Sequence, residues 1–253
     1  LHRLIRRQRQ MCIRDRLGMP YRGKGKGTFK PMWTKSYLRG DKCSGNTSML
    51  LCALDSCCNL ELYQQNLRDW YFNRKYTGEN IEFDIDQVTQ KAIMKNFRGV
   101  SSDSNSGNRS LMGCCVLAFS PLSKEEIFPF IKITHNSRYS FKYTWFFIEF
   151  IRCLLEYEDK EQALQQAEQR CDVEVNRQNL CNGNFVVDTV ESVVNWFMAG
   201  NSYKECVFSA INSGKSSDAV GALTGLLAGI YYGLELKNGV KAVSYTHLTL
   251  PTN

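Results

Sequence analysis

Apolar side chains recur at three- and four-residue spacing along most of the chain. In residues 47–59 and 60–73 this spacing predicts two amphipathic helices. The same spacing predicts further helices at about 138–157, 160–171, 187–199 and 217–234. No stretch alternates apolar and polar residues between turn signals, as a half-buried strand would. The pattern therefore predicts an all-α domain.

Polar residues at the spacing of a capping box mark several predicted helix starts. In this motif two side chains three residues apart each accept a hydrogen bond from the other's backbone N–H. The spacing is found in three pairs: Asp84 with Gln87, Ser123 with Glu126, and Ser202 with Glu205. The polar loop at 101–110 is the clearest break between helices, and there is no internal repeat.

The apolar run at 219–234 carries no charge and could be taken for a membrane span. Its 16 residues fall short of the roughly 20 that cross a bilayer. It contains glycine every four residues, which places the glycines on one helix face: Gly221, Gly225, Gly229 and Gly233. Small residues on one face let another backbone approach closely, so the run predicts a buried central helix.

Composition fits one globular core, since 43% of the 253 residues are hydrophobic and 23% are charged. The net charge of +7 would favour an anionic partner such as nucleic acid. However, residues 1–16 hold six arginines and Asp15, a net of +5, so the other residues carry only +2. That is an ordinary surface, and we expect no nucleic-acid partner.

Both ends of the chain resemble translated sequencing adapter. Residues 1–16 include RQRQMCIRDR, and residues 243–253 read VSYTHLTLPTN. We interpret both as non-native scars, expect them to make few buried contacts, and place the domain at 17–242. The basic start could instead be taken for a transit peptide.

When both ends are left out, only His135 of the three histidines remains. Zinc hydrolysis and Ser/His/Asp chemistry are therefore disfavoured. Ten of the eleven cysteines lie in the body, without CxxC spacing. They favour reduced core thiols and an intracellular, most simply cytoplasmic, protein. An organelle stays open because we expect the native start to be missing.

Five segments in order resemble motifs of the ADP-ribosylglycohydrolase family. LGMPYR at 17–22 looks like the end of GDALGxPxE, and SGNTSMLLCALDS at 44–56 looks like TDDTxMxLxLAES. GNRSLMGCCVLAF at 107–119 resembles GNGSxMRxxPLGL, and 182–197 resembles GYVxDTLEAALWAF. Residues 210–235 resemble AVNxGGDxDTxGAIAGALAGAYYG. The resemblance implies a single-domain, orthogonal multi-helix bundle in which two magnesium ions assist hydrolysis of bonds to ADP-ribose.

The implied metal positions depart from the family pattern. Of the family's five carboxylates only one is kept, and two cations have been added. The changed or kept positions are Gly45, Asn46 and Thr47 in the TDDT segment, Ser216, Asp218 and Ala219 in the GDxDT segment, and the cations Arg22 and Lys215. Magnesium needs clustered oxygen ligands with compensating charge. We therefore expect no tight metal site and no cofactor, with magnesium as the alternative. Asp15 aligns with the aspartate of GDALG but lies in the segment that we interpret as a scar, so we do not count it among the ligands.

The implied ligand loop keeps most of its residues. Gly107, Asn108, Ser110 and Met112 match the family's GNGSxM segment, while Arg109 replaces its middle glycine. Arg109 either closes the pocket or contacts a phosphate directly. We also expect Arg22, Lys215 or Arg109 to supply a cation beside Asp218, in place of the magnesium charge.

Two classes of function stay open. The first is a catalytically inactive member that acts as a structural or assembly component with other protein subunits, a use for which the family is known in lens crystallins. Weak binding of ADP-ribose or a related nucleotide is compatible with it. The alternative is an active magnesium-dependent hydrolase that removes ADP-ribose from modified acceptors.

Overall fold

The computed structural model describes residues 14–32, 42–78, 81, 83–98 and 101–233. Its α-helices, numbered here in chain order, are α1 (Gly45–Asp55), α2 (Leu60–Asn73), α3 (Gln87–Met94), α4 (Arg109–Cys114), α5 (Lys124–Lys132), α6 (Arg138–Glu156), α7 (Lys160–Cys171), α8 (Val186–Ala199), α9 (Tyr203–Asn212) and α10 (Ser217–Tyr231). Short 3₁₀ segments lie at Met19–Tyr21, Asp103–Asn105 and Cys115–Phe119. The described residues contain isolated β-bridges but no strand. The predicted all-α fold is confirmed.

Helix bounds follow the sequence pattern closely except at the ends of α1 and α10; α10 ends at Tyr231, short of the predicted 234. The pattern predicted a helix to residue 59, whereas α1 ends at Asp55. Cys57 and Cys58 take left-handed backbone angles, with φ of 48° and 65°, and such residues cannot continue a right-handed helix. The N–H of Asn59 closes the turn on the carbonyl of Ser56 at 2.8 Å. The Asn59 side chain then caps α2.

The three predicted capping boxes have different outcomes. The box of Ser123 and Glu126 is complete in both directions. Ser202 accepts from the N–H of Glu205 at 3.2 Å, but the Glu205 carboxylate accepts from Asn201 instead.

The prediction for Asp84 is wrong. Asp86 is the N-cap of α3 and accepts from the N–H of Thr89 at 2.9 Å. The Asp84 carboxylate is instead engaged by Arg22 and Arg109, whose charged donors lie within hydrogen-bond distance.

Helix α10 is the centre of the bundle, as the glycine pattern predicted. Residues 217–229 are all buried, and the helix packs against α9, α8 and α6. A Cβ on Gly221 would lie 2.8 Å from the side chain of Ile211, and one on Gly225 would lie 2.9 Å from Arg14. Glycine thus admits neighbours that a larger residue would displace. In the part of the chain that the structure describes, none of the helices combines the length and apolar character that a membrane crossing requires.

The chain start does not behave as the scar interpretation requires. Arg14 is 3% exposed and Asp15 is fully buried, so the expectation that residues 1–16 make few buried contacts is wrong for these two. The reason is local, because Asp15 accepts three hydrogen bonds from the beginning of α1. Residues 1–13 and the predicted scar at 243–253 lie outside the described residues.

Candidate functional site

The first turn of α1 is organised around the Asp15 carboxylate. Asp15 accepts from the N–H of Ser44 at 2.8 Å, the Ser44 hydroxyl at 2.7 Å and the Thr47 hydroxyl at 2.6 Å. A carboxylate at a helix N-terminus is favoured by the unpaired N–H groups and the helix dipole. Burial, together with the nearby charge of Asp218, raises the pKa of Asp15 to about 6 against the opposing hydrogen bonds. The oxygens of Asp15 are thus committed to holding α1 in place.

Asp218 stands in the first turn of α10, where it faces α1. It is 3% exposed and accepts from the side-chain amide of Asn46 at 3.1 Å. The Nε of Arg22 lies 3.6 Å from the same carboxylate. Asn46 itself is buried, and its Oδ1 has no hydrogen-bond partner among the described residues. An amide and a guanidinium therefore lie beside Asp218, the one carboxylate retained at the metal positions that the family resemblance implies.

Close packing of backbones fixes these segments relative to one another. A Cβ on Gly18 would lie 2.3 Å from the carbonyl oxygen of Ser217, so only glycine fits there. The Ser217 hydroxyl also donates to the Gly18 carbonyl at 2.9 Å. Gly23 donates to the carbonyl of Lys215 at 2.8 Å, and Lys215 donates to that of Lys24 at 2.8 Å. The start of the chain is thereby joined to the start of α10.

Asp84 is a site residue, although its spacing from Gln87 predicted a helix cap. Its carboxylate lies 2.5 Å from Arg22 and 2.9 Å from Arg109. The backbone of Asp84 covers Gly45, since a Cβ on Gly45 would lie 1.7 Å from the Asp84 carbonyl oxygen. Position 45 therefore lacks the carboxylate of the family's TDDT motif, and its glycine leaves room for the segment that carries Asp84.

The charges around Arg109 determine the ionisation of their neighbours. Burial alone would raise the pKa of Asp84, but Arg109 and Arg22 hold it below its usual value. Burial is likewise outweighed at Asp86, where His135, Arg109 and the hydrogen bonds from Thr89 lower the pKa. Burial lowers the pKa of His135, with Asp86 opposing and Arg109 reinforcing this shift. Asp84 and Asp86 are therefore ionised and His135 is neutral near pH 7.

The residues of the implied ligand loop lie in different environments. Gly107 pairs with Phe185 in an isolated bridge, and Asn108 donates from its side chain to the Thr189 hydroxyl at 3.2 Å. Ser110 is fully buried against Thr144, and Met112 belongs to the hydrophobic core. A Cβ on Gly107 would lie 3.6 Å from Nε2 of His135.

Arg109 points away from solvent. Its side chain is 7% exposed, with NH2 2.9 Å from Asp84 and Nε 3.8 Å from Asp86. Its NH1 has no hydrogen-bond partner among the described residues and lies 2.7 Å from the place of a Cβ on Gly45. Of the two roles considered for Arg109, this geometry favours filling the pocket.

The donor set does not fit the magnesium pair that the family resemblance implies. Positions 45 and 46 offer no carboxylate, Ser216 donates to the Asn184 side chain, and Ala219 is apolar. Asp218 already faces Arg22, whose positive charge opposes a dication. Lys215 is exposed and adds a second positive charge nearby. Throughout the described residues, no three or more His, Cys, Asp or Glu side chains are grouped so that they could hold a metal ion.

Two carboxylates were missed by reasoning from the sequence. Asp15 was set aside because it lies in a segment that resembles adapter. Asp84 was assigned to a helix cap because it stands three residues before Gln87. Gly45 was the available signal, because glycine in the first turn of a helix costs stability unless another segment approaches closely.

The helices form an all-α bundle in which the chain start, α1 and α10 converge. This fold and site define a protein of the ADP-ribosylglycohydrolase type. The sequence profile of the ADP-ribosylglycohydrolase family matches residues 11–239, and the chain belongs to this family. The match begins within the segment that was set aside as a scar.

Two relatives illustrate the similarity. The ADP-ribosyl-[dinitrogen reductase] glycohydrolase of Rhodospirillum rubrum is 35% identical over 51 residues, which are 20% of this chain and 17% of that protein. A solved structure described as an ADP-ribosylglycohydrolase-related protein complex superimposes with a TM-score of 0.72. The superposition covers 92% of this chain and 89% of the other chain, and the two sequences are 21% identical. This likeness supports the fold alone.

Proposed function

We propose that this chain is a catalytically inactive ADP-ribosylglycohydrolase that acts as a structural or assembly component with other protein subunits. The observation that carries the proposal is the position of Arg22, whose Nε lies 3.6 Å from Asp218. A guanidinium there supplies the positive charge that a metal ion would otherwise bring to this carboxylate. The family fold can then persist without metal.

Loss of the metal ligands also removes the chemistry that hydrolysis needs. A bound divalent ion polarises the reacting bond or lowers the pKa of a water molecule. Asp15 is no substitute, because its oxygens accept three hydrogen bonds that position α1. His135 has its Nδ1 2.9 Å from the Thr134 hydroxyl, and burial keeps it neutral. These contacts support a structural role for both residues.

Exposed apolar side chains are compatible with a protein partner. Phe72 of α2 is 61% exposed and Met94 of α3 is 64% exposed. Residual binding of ADP-ribose or a related nucleotide would involve the loop at 107–110, where Arg109 restricts the space.

The decisive experiment is a turnover assay on ADP-ribosyl-arginine and ADP-ribosyl-serine substrates with saturating magnesium. We expect no release of ADP-ribose above the level without protein, while a family member that keeps the TDDT and GDxDT carboxylates releases it. A metal chelator should leave the melting temperature unchanged. Magnesium-dependent release, or a large loss of stability with chelator, would return the chain to the hydrolase alternative.

A restoration experiment must respect the packing of Gly45. Aspartate at position 45 would overlap the Asp84 carbonyl, so that position is left as glycine. The variant Arg22→Glu with Asn46→Asp and Ser216→Asp instead rebuilds carboxylates around Asp218. We expect it to gain magnesium binding, seen by calorimetry, without gaining turnover, since Arg109 would still fill the ligand pocket.

A further inference from the structure

A cleft of about 370 Å³ lies between the turn after α3 and the last turn of α5. None of its lining residues belongs to the site described above. Three apolar and three polar residues line it, which are Phe97, Pro129, Ile133, Arg98, Lys132 and Asn136. Two of the polar residues are cations, so this basic cleft combines apolar surface with positive charge.

The backbone after α3 builds one wall of the basic cleft. Asn96 and Phe97 have left-handed backbone angles, with φ of 54° and 60°, which a bulky residue seldom adopts. The N–H of Phe97 donates to the Ala92 carbonyl at 2.7 Å. The guanidinium of Arg68 lies 4.9 Å from the Phe97 ring and donates to the Asn96 side chain. Contacts from α2 and α3 therefore fix Phe97 in place, and the cleft is preformed.

Exposed apolar side chains continue from the basic cleft onto α2 and α3. Phe72 stands four residues after Arg68 on α2, so the two lie on the same helix face. Met94 stands three residues before Phe97, and both Phe72 and Met94 are more than half exposed. An apolar surface rimmed by charge is typical of a protein interaction site.

Uncompensated positive charge surrounds this surface. From Gln87 to Arg98 the chain contains the cations Lys91, Lys95 and Arg98 and no acidic residue. Lys132 adds a fourth cation from α5. Among the residues that the structure describes, no ion pair engages any of these four cations. The surface therefore favours an acidic partner.

The turn that joins α6 to α7 has the complementary character. Residues 155–161, here called the acidic corner, contain four acidic residues and one lysine, a net of −3. Leu155 is 49% exposed in the last turn of α6. Glu158 is exposed and forms no ion pair with any described residue, while Lys160 donates to two backbone carbonyls. The acidic corner thus presents an apolar side chain beside uncompensated negative charge.

Helix α6 separates the basic cleft from the acidic corner. Asn136, which lines the cleft, lies two residues before Arg138, the first residue of α6. Leu155 lies 17 residues further along the same helix. At a rise of 1.5 Å per residue the separation is about 26 Å. One molecule cannot place its own acidic corner in its own cleft, whereas a second copy can.

We propose that the acidic corner of one copy docks in the basic cleft of a second copy, with Leu155 as the apolar anchor. An anchor that fills a pocket supplies affinity, and complementary charge around it sets the register. Because the two surfaces differ, the contact is head to tail, and such contacts close into a ring or extend as a filament. The inference rests on the assembly role proposed above and names a second copy as the subunit.

The test measures the mass of the natural chain by analytical ultracentrifugation at increasing concentration, where we expect steps of one chain. The cleft variant combines Arg98→Glu with Lys132→Glu, and the corner variant combines Leu155→Ser with Glu158→Ser. Each should weaken self-association at least about tenfold, as loss of a central contact does. An equimolar mixture of the two should form a 1:1 dimer and nothing larger, because it retains one intact cleft and one intact corner.

Matched controls carry the same kinds of change at exposed positions elsewhere. Lys30→Glu with Lys204→Glu reverses the same amount of charge, and Leu180→Ser with Glu174→Ser removes an exposed leucine and an exposed glutamate. Both controls should associate within about twofold of the natural chain, as for ordinary surface changes. Circular dichroism melts should show that all four variants remain folded.

A natural chain that stays monomeric at every concentration would overturn the proposal, and so would equal weakening by the controls. If the corner variant still associated while the cleft variant did not, the cleft would meet a different surface. A mixture of the two variants that stays monomeric would also exclude the contact. The readout is mass and not release of ADP-ribose, so failure of this proposal is distinguishable from failure of the proposed lack of turnover.

Discussion

Asp84 holds the ionic contacts on which two arginines depend. Arg109, with a side chain 7% exposed, has Asp84 at 2.9 Å and the more distant Asp86 at 3.8 Å. Arg22 is 40% exposed and also has Asp218 at 3.6 Å. Breaking a buried pair leaves an uncompensated charge, whereas exposed pairs contribute little. Asp84 is therefore the more important of these carboxylates for stability.

The substitution Asp84→Asn should lower the free energy of unfolding by roughly 3 kcal/mol, because the buried Arg109 loses its nearest countercharge. The control is Asp103→Asn, which removes an exposed pair with Arg138 at 2.8 Å. That change should cost less than about 1 kcal/mol. Denaturant unfolding measures both, and equal costs would contradict a central role for Asp84.

The raised pKa of Asp15 predicts a pH dependence of stability. The folded carboxyl holds its proton up to about pH 6, whereas the unfolded one loses it near its ordinary value of 3.8. Between these values the folded state binds more protons, so this group lowers stability as pH rises through the window and changes little above it. Asp84 and Asp86 have lowered pKa values in the folded state, so their contribution increases stability as pH rises toward 3.8.

The measurement compares unfolding free energies of the natural chain and Asp15→Asn from about pH 4 to pH 8. The stability of the natural chain should decline relative to that of the variant up to about pH 6, and the difference should then be constant. Parallel profiles throughout would show that Asp15 titrates at its ordinary value.

At the scale of helices, most of the structure could be predicted because its signals are local. The bounds of α2 and α7 match the apolar spacing residue for residue, and Ser123 forms its predicted capping box. The site was predicted less completely because its contacts are distant in sequence. Asp84 meets Arg22 across 62 residues, and nothing in the spacing of either residue indicates the other.

Packing between the chain start and α10 gives a prediction for Gly18. A Cβ there would lie 2.3 Å from the Ser217 carbonyl oxygen and 2.5 Å from the Asp218 Cα, and both are backbone atoms that cannot rotate away. Gly18→Ala should therefore destabilise by about 2 kcal/mol, as overpacking does.

Gly78→Ala is the matched control for this change. A Cβ on Gly78 meets nothing within 4 Å, and the residue has no positive φ. Its effect should stay within about 0.5 kcal/mol, as for an ordinary surface change. Similar thermal shifts in the two variants would show that the start of α10 tolerates displacement.

At the scale of the whole molecule, residues from both ends of the described chain complete one site. Asp15 positions α1, Gly18 contacts α10, and Gly225 accommodates the Arg14 side chain. The family match, which covers residues 11–239, includes this early segment. The scar interpretation is thus best tested by where truncation begins to cost stability.

Deleting residues 1–10 should leave the denaturation midpoint nearly unchanged, since the family match begins after them. Deleting residues 1–16 should lower the free energy of unfolding by about 3 kcal/mol or more, because the N–H of Ser44 loses its acceptor in a buried site and space opens beside Gly225. The full-length variant Asp15→Ala separates the lost carboxylate from simple shortening and should reproduce much of the larger effect. If both truncations unfold at the same midpoint as the full chain, then the contacts of Asp15 contribute nothing to stability, and α1 is held in place by its capping residue Ser44 and its core packing alone.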